Sequence, residues 1–159
     1  MTRKPKGVKV AVSNRQRRLK ISASLLVRIV ERALEFLHDD RAELGIVLMD
    51  DDGIAKLNAQ YHNTQGPTDV LSFDYGEGQG ELIVSMEHAV TQARRFRSTP
   101  SRELVLYVVH GILHLRGYND VALRDRRRMR TAERRLMSRL ARDFKFHTLV
   151  LVARRVARS

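Results

Sequence analysis

Two histidines and an aspartate, His110, His114 and Asp120, stand in an order that suits a metal ion. Each step along a helix turns the side chain by about 100°, so positions four apart share one face. Two imidazoles placed this way can bind one zinc, each through a nitrogen at about 2.0–2.1 Å. A third ligand must then come from beyond the helix. Gly117 lets the chain turn back sharply, and Asp120 is the first candidate after that turn. His-x3-His-x5-Asp is therefore a set of two nitrogens and one carboxylate oxygen with a position left open. His88 and His147 are fallback third ligands, with no spacing argument behind them.

The residue after His110 is Gly111. In the His-Glu-x-x-His zinc proteases a Glu at that place is the general base. Its absence disfavours peptide hydrolysis by that route.

These residues need a helix and a turn to position them. Residues 101–115 read as the most apolar helix of the chain, preceded by the stop-and-cap signal Ser98-Thr99-Pro100 and ended by Gly117. Upstream, alternation over Lys9–Ser13 and the apolar run Leu44–Met49 predict strands. Residues 21–37 have helical apolar spacing, with Ser22 or Ser24 as cap. Asp50-Asp51-Asp52-Gly53 reads as a turn and N-cap for a helix over 54–61 and lacks the spacing of a calcium loop. Residues 62–67 read as a loop, 68–73 and 81–85 as strands, and Asp74–Gly80, with three glycines, as a mobile connection between them. Residues 86–96 read as a helix, and 121–144 as a long Arg-rich helix with Leu123, Met129, Leu136, Met137 and Leu140 inward. Residues 145–159 suit a strand, a short helix or a loose arm equally.

The 159 residues suit one domain, expected over 1–144 with a basic N-terminal arm, followed by a basic tail over 145–159. Without Cys, a disulfide scaffold, a Cys-based zinc finger and a Cys nucleophile are excluded. No apolar run approaches the ~20 residues of a membrane span, and no signal-peptide core follows the basic start. The expected location is the cytoplasm. The net charge of +12 is uneven. Residues 1–20 carry eight Lys or Arg and no acid, residues 21–120 nine bases and fifteen acids, and residues 121–159 thirteen bases and three acids. An acidic body between basic ends points to nucleic acid held through phosphates. The candidates for that contact are Arg124, Arg126, Arg127, Arg128 and Arg130, with Arg15, Arg17 and Arg18 at the other end.

The segment His110-Gly111-Ile112-Leu113-His114-Leu115-Arg116-Gly117-Tyr118-Asn119-Asp120 resembles the YbeY family signature His-Gly-x-Leu-His-x-x-Gly-Tyr-Asp-His. Pro67-Thr68-Asp69-Val70-Leu71-Ser72-Phe73 matches a second family segment, and Leu57-Asn58, Tyr61 and Gly80-Glu81-Leu82-Ile83 fit others. The resemblance covers about residues 44–137. It implies an α+β fold, a single small mixed sheet packed against several helices, with the metal at a cleft on the His-x3-His helix. It also implies a zinc-dependent, single-strand-specific endoribonuclease, one Zn(2+) per chain. The implied partners are ribosomal RNA and the small ribosomal subunit, in maturation of the 16S RNA 3′ end and ribosome quality control.

Three departures stand out. The family's third His is Asp120 here, which keeps a legitimate ligand but should acidify a bound water less and admit manganese or iron more readily. The family's Arg after the Tyr is His62, so phosphate contact would pass from there to Arg116 or to the basic ends. Glu81 replaces Asp, at a position read as structural. On the strand expected over 68–73, Asp69 shares a face with Leu71 and Phe73, and either orients a ligand His through its second nitrogen or caps the loop. Two chemical routes stay open: attack by a metal-activated water, or attack by the RNA 2′-OH with the metal stabilising charge. Two other functions compete: an RNA- or ribosome-binding assembly factor with weak or no catalysis, and a metal-dependent hydrolase of another substrate.

Overall fold

The computed structural model describes residues 7–62 and 70–151, the side chains of residues 58–62 excepted. Its centre is a four-stranded mixed sheet. β1 (Lys9–Asn14), β3 (Glu43–Met49) and β5 (Gln79–Ser85) run parallel, and β4 (Val70–Gly76) pairs antiparallel with β5, in the order β1-β3-β5-β4. Leu44, Ile46 and Leu48 of β3 and Leu82 and Val84 of β5 are fully buried on one face. The period of two sends Val47, Leu71 and Ile83 to the other face.

The two faces are covered unequally. α1 (Ala23–Phe36), α3 (Met86–Arg95), α4 (Pro100–Leu115) and α5 (Leu123–Asp143) build the main core with Leu82, Ile46 and their neighbours. α2 (Asp51–His62) covers the other face, where Ile54 meets Val47, Leu71 and Ile83. The predicted caps form. Ser22 Oγ accepts from the Leu25 N–H at 3.3 Å, and Thr99 Oγ1 from the Arg102 N–H at 3.1 Å ahead of Pro100.

Asp74–Gly80 is not the mobile connection expected from its glycines. β4 and β5 run on into it and meet at a tight hairpin turn, where Gly76, Glu77 and Gly78 take φ of 82°, 53° and 77°. Two of the glycines supply the left-handed backbone of that turn, which is a specification and not looseness.

One further expectation changes, and one open choice narrows. Leu123 is 58% exposed, because it opens α5 before the helix reaches the core, whereas Met129, Leu136, Met137 and Leu140 are buried. Residues 145–151 do not form a loose tail. A 3-10 turn over Phe146–Thr148 leads to β6 (Val150–Leu151), which pairs antiparallel with β2 (Lys20–Ile21). Leu149 and Val150 are 0% and 4% exposed, and the Val150 N–H donates to Ser101 Oγ at 3.0 Å. Residues 152–159 lie outside the described residues. Among the described residues no helix is long and apolar enough to cross a membrane.

Candidate metal centre

α4 lies against β4 and β5, and Gly111 sets how closely. A Cβ there would stand 2.8 Å from Leu82 Cδ2 and 3.1 Å from Val70 Cγ2. The position that carries a Glu in the zinc proteases therefore has no room for a side chain. Ser72 Oγ adds a bond to the Gly111 carbonyl at 3.3 Å. With residue 111 turned to the sheet, His110 and His114 project from the helix toward α5.

The two Nε2 atoms are 2.9 Å apart, with ring centroids at 4.5 Å and planes at 75°. The chain leaves α4 through Gly117, at φ 95°, with the Tyr118 N–H on the Leu113 carbonyl at 3.0 Å. That reversal returns Asp120 to the histidines, its Oδ2 3.8 Å from His110 Nε2. One ligand atom from each of the three residues lies within 4.8 Å of the others. Tetrahedral donors bonded at about 2.0–2.1 Å stand about 3.3 Å apart. The 2.9 and 3.8 Å separations bracket that spacing, so the donor set fits one metal ion.

Glu133 completes the arrangement and was not foreseen from the sequence. Its Oε1 is 2.5 Å from His110 Nδ1. An Nδ1–H donating to this carboxylate leaves the Nε2 lone pair directed at the other two ligands. A signal was present in the sequence. Glu133 sits four residues after Met129 and three before Leu136, an acid on the inward stripe of an otherwise basic helix. The pKa of His114 is lowered, chiefly by burial and then by the neighbouring His110, while Asp120, a Tyr118 backbone hydrogen bond and Glu133 oppose the shift. The lowering favours the neutral imidazole, the form that binds metal.

His110, Asp120 and Glu133 line a hollow of about 260 Å³ together with Tyr107, Arg126 and Arg130. The arginine run of α5 is thus divided. Arg126 and Arg130 face the metal ligands, one turn apart, whereas Arg124, Arg127 and Arg128 line a separate hollow beside Tyr118. Arg116 does not reach the metal hollow. Its Nη1 donates to Asp39 Oδ2 at 2.9 Å, and the Asp39 side chain is only 5% exposed. The N-terminal arginines do not flank the cleft either. Arg15, Arg17 and Arg18 line a hollow with Asp50, Glu87 and Arg94, where β1 ends and α3 begins, and Arg18 approaches Glu87 at 3.7 Å. α4 runs antiparallel to β5, so its His114 end lies near Gly80, at the opposite end of the strands. Among the described residues of the two basic ends, only α5 comes to the candidate metal ligands.

His88 engages Gln92 at 3.0 Å, and His147 is exposed on the 3-10 turn. Neither joins the ligand group. Glu81 accepts from the Tyr75 hydroxyl at 3.1 Å, a structural contact. Asp69 and the side chain of His62, which ends α2, lie outside the described residues.

The family profile described as "Endoribonuclease YbeY" matches residues 11–141. Among curated relatives, an "Endoribonuclease YbeY" of Pelotomaculum thermopropionicum is 34% identical over 146 residues, covering 82% of this chain and 96% of that one. A namesake from Geobacter metallireducens is 33% identical, covering 86% of this chain and 98% of its own. A solution structure from Thermotoga maritima superimposes with a TM-score of 0.60 at 25% identity, over 86% of this chain and 90% of the other.

Proposed function

This chain belongs to the Endoribonuclease YbeY family, and on that premise we propose that it is a metal-dependent, single-strand-specific endoribonuclease. One zinc would be held by His110, His114 and Asp120. The observation that carries the reading is the convergence of these three donors beside a hollow that His110 and Asp120 line together with two arginines. A bound zinc would supply Lewis-acid polarisation of a phosphoryl oxygen and a lowered pKa for water.

The chain's own residues do the rest. Glu133 holds His110 in the tautomer with a free Nε2. Arg126 and Arg130 present guanidiniums to a phosphodiester at the mouth of the hollow and offset charge that builds on it. They take the phosphate contact expected of Arg116, which Asp39 holds. Tyr107 and Met129 close the inner wall. The substrate we assign is ribosomal RNA of the small subunit, cut near the 16S 3′ end in the cytoplasm during maturation and quality control.

The test joins metal content to cleavage of a single-stranded RNA bearing the 16S 3′-end sequence. Wild-type protein should carry one equivalent of metal and cut the RNA, and His114→Ala should lose both. Full cleavage by metal-free His114→Ala would refute the assignment. Tight RNA binding by a metal-loaded protein that cuts nothing would favour an assembly factor.

A further inference from the structure

The arginines of α5 that face away from the metal ligands serve no part of the chemistry above. Arg124, Arg127, Arg128 and Arg135 surround Tyr118 in a hollow of about 370 Å³. A second hollow of about 290 Å³ shares Tyr118 and Arg128 with it and is lined also by Arg116, Asn119 and Asp125. The Arg128 guanidinium lies 5.7 Å from the centroid of the Tyr118 ring.

These arginines lack the ion pairs that Arg18, Arg32, Arg41 and Arg116 have. Arg32 is paired with Glu35 and Asp143, and Arg116 with Asp39. Among the described residues no carboxylate forms an ion pair with Arg124, Arg127, Arg128 or Arg135. Arg124 and Arg128 stand one turn apart, where like charges weaken a helix. Arg124 also sits in the first turn, at the positive end of the helix dipole. This arrangement opposes helix stability when the chain is alone, and a polyanion laid along it removes the opposition.

We propose that this face of α5, centred on Tyr118 and Arg128, is an outer subsite for single-stranded RNA, which holds the strand after it leaves the metal cleft. The proposal rests on the reading of the cleft as RNA-cleaving and extends it to a second face of the same helix. Arg126 and Arg130 stand at the cleft, and Arg127 and Arg128 lie between them in sequence on the adjacent face. A strand can therefore pass from one set of guanidiniums to the other across the width of a helix, about 10–12 Å or two nucleotide steps. The flat guanidinium over Tyr118 offers a base a stacking surface, and the surrounding arginines take the phosphates.

The test measures binding to the full-length protein of a fluorescent 20-nucleotide single-stranded RNA by anisotropy, across a salt series. The comparison is Arg124→Gln/Arg127→Gln/Arg135→Gln, which keeps helix-forming side chains and leaves Tyr118 and the metal ligands in place. Each lost phosphate contact removes about 0.7 from the slope of log affinity against log salt. Three lost contacts reduce the slope by about 2, so between 50 and 200 mM salt the wild type should lose about twentyfold more affinity than the variant. The variant should also melt no lower than wild type, since like charges have been removed. Wild-type affinity and slope in the variant would overturn the subsite, whatever the cleavage result. Loss of RNA cleavage at the metal with the binding difference intact would overturn the cleft reading and leave this face as an RNA contact. Tighter binding to anionic vesicles than to RNA, with Val121 and Leu123 as the exposed apolar anchors, would also overturn it. Equal affinity for polyglutamate would do the same.

Discussion

Replacing Glu133 should loosen the metal without loosening the fold. Its carboxylate is 17% exposed, lies on the apolar stripe of α5 and reaches His110 Nδ1 at 2.5 Å. In Glu133→Leu the stripe becomes continuous, so thermal stability should change by less than about 1 kcal/mol in either direction, the usual range for a well-packed exchange of this kind. The metal site changes more. Without the acceptor the His110 proton is free to sit on Nε2, the atom facing His114 and Asp120, and the metal must displace it. The ring also loses the contact that fixes its orientation. Removal of such supporting carboxylates costs about 10–100-fold in metal affinity, which is about 1.4–2.8 kcal/mol. Glu133→Gln retains an oxygen for Nδ1–H but no charge, and should fall between. The assay is competition with a chromogenic chelator on the apoprotein, with melting of the same samples as control. Wild-type affinity in Glu133→Leu would refute the role given to Glu133. Equal losses in the Leu and Gln variants would show that charge, and not the hydrogen bond, is what His110 requires.

Four other outcomes follow from the same structure. Asp120→His restores three nitrogen donors and should shift metal preference toward zinc over manganese, read by mass spectrometry of protein loaded from a mixture. Gly111→Ala drives a methyl against Leu82 Cδ2 at 2.8 Å; a loss of about 1–3 kcal/mol is expected, and an unchanged melting temperature would mean α4 does not sit this close to the sheet. Leu149→Ala should cost about 2–5 kcal/mol in urea unfolding, because the side chain is 0% exposed; a neutral result would return residues 145–151 to the status of a tail. Arg116→Ala strips the 2.9 Å contact from Asp39 Oδ2, on a side chain 5% exposed, and leaves only Arg41 on Oδ1; a destabilisation of about 1 kcal/mol is expected, whereas a fall in RNA cleavage without one would give Arg116 back its role at substrate.

Local signals carried much of this structure. Ser22, Thr99 and Pro100 mark helix starts by side-chain chemistry that needs no distant partner, and Gly117 marks an end for the same reason. The spacing of His110, His114 and Asp120 pointed to a candidate ligand group, and the fold brings one donor atom of each within 4.8 Å of the others. What escaped was set by distant contacts. Glu133 reaches His110 across 23 positions of sequence, and Arg116 is held by Asp39 across 77. No local pattern distinguishes Arg126 from Arg127. Only the docking of α5 on α4 turns one to the candidate metal ligands and the other to Tyr118. The two-residue β2 and β6 were too short for a periodic signal and exist because each pairs with the other.

The unequal covering of the sheet has a consequence for motion. α2 is held through the small cluster of Ile54 with Val47, Leu71 and Ile83, whereas α4 is buried at ten of its positions, seven of them in the main core. Among the described side chains, opening α2 exposes one fully buried isoleucine and its few neighbours; opening α4 requires the whole molecule to unfold. Amide hydrogens of α2 should therefore exchange through sub-global openings, while those of Val108, Val109 and Ile112 exchange only at the global limit. The helix that carries the histidines belongs to the slowest-exchanging part of the protein, and the ligand geometry persists through fluctuations that release the opposite face.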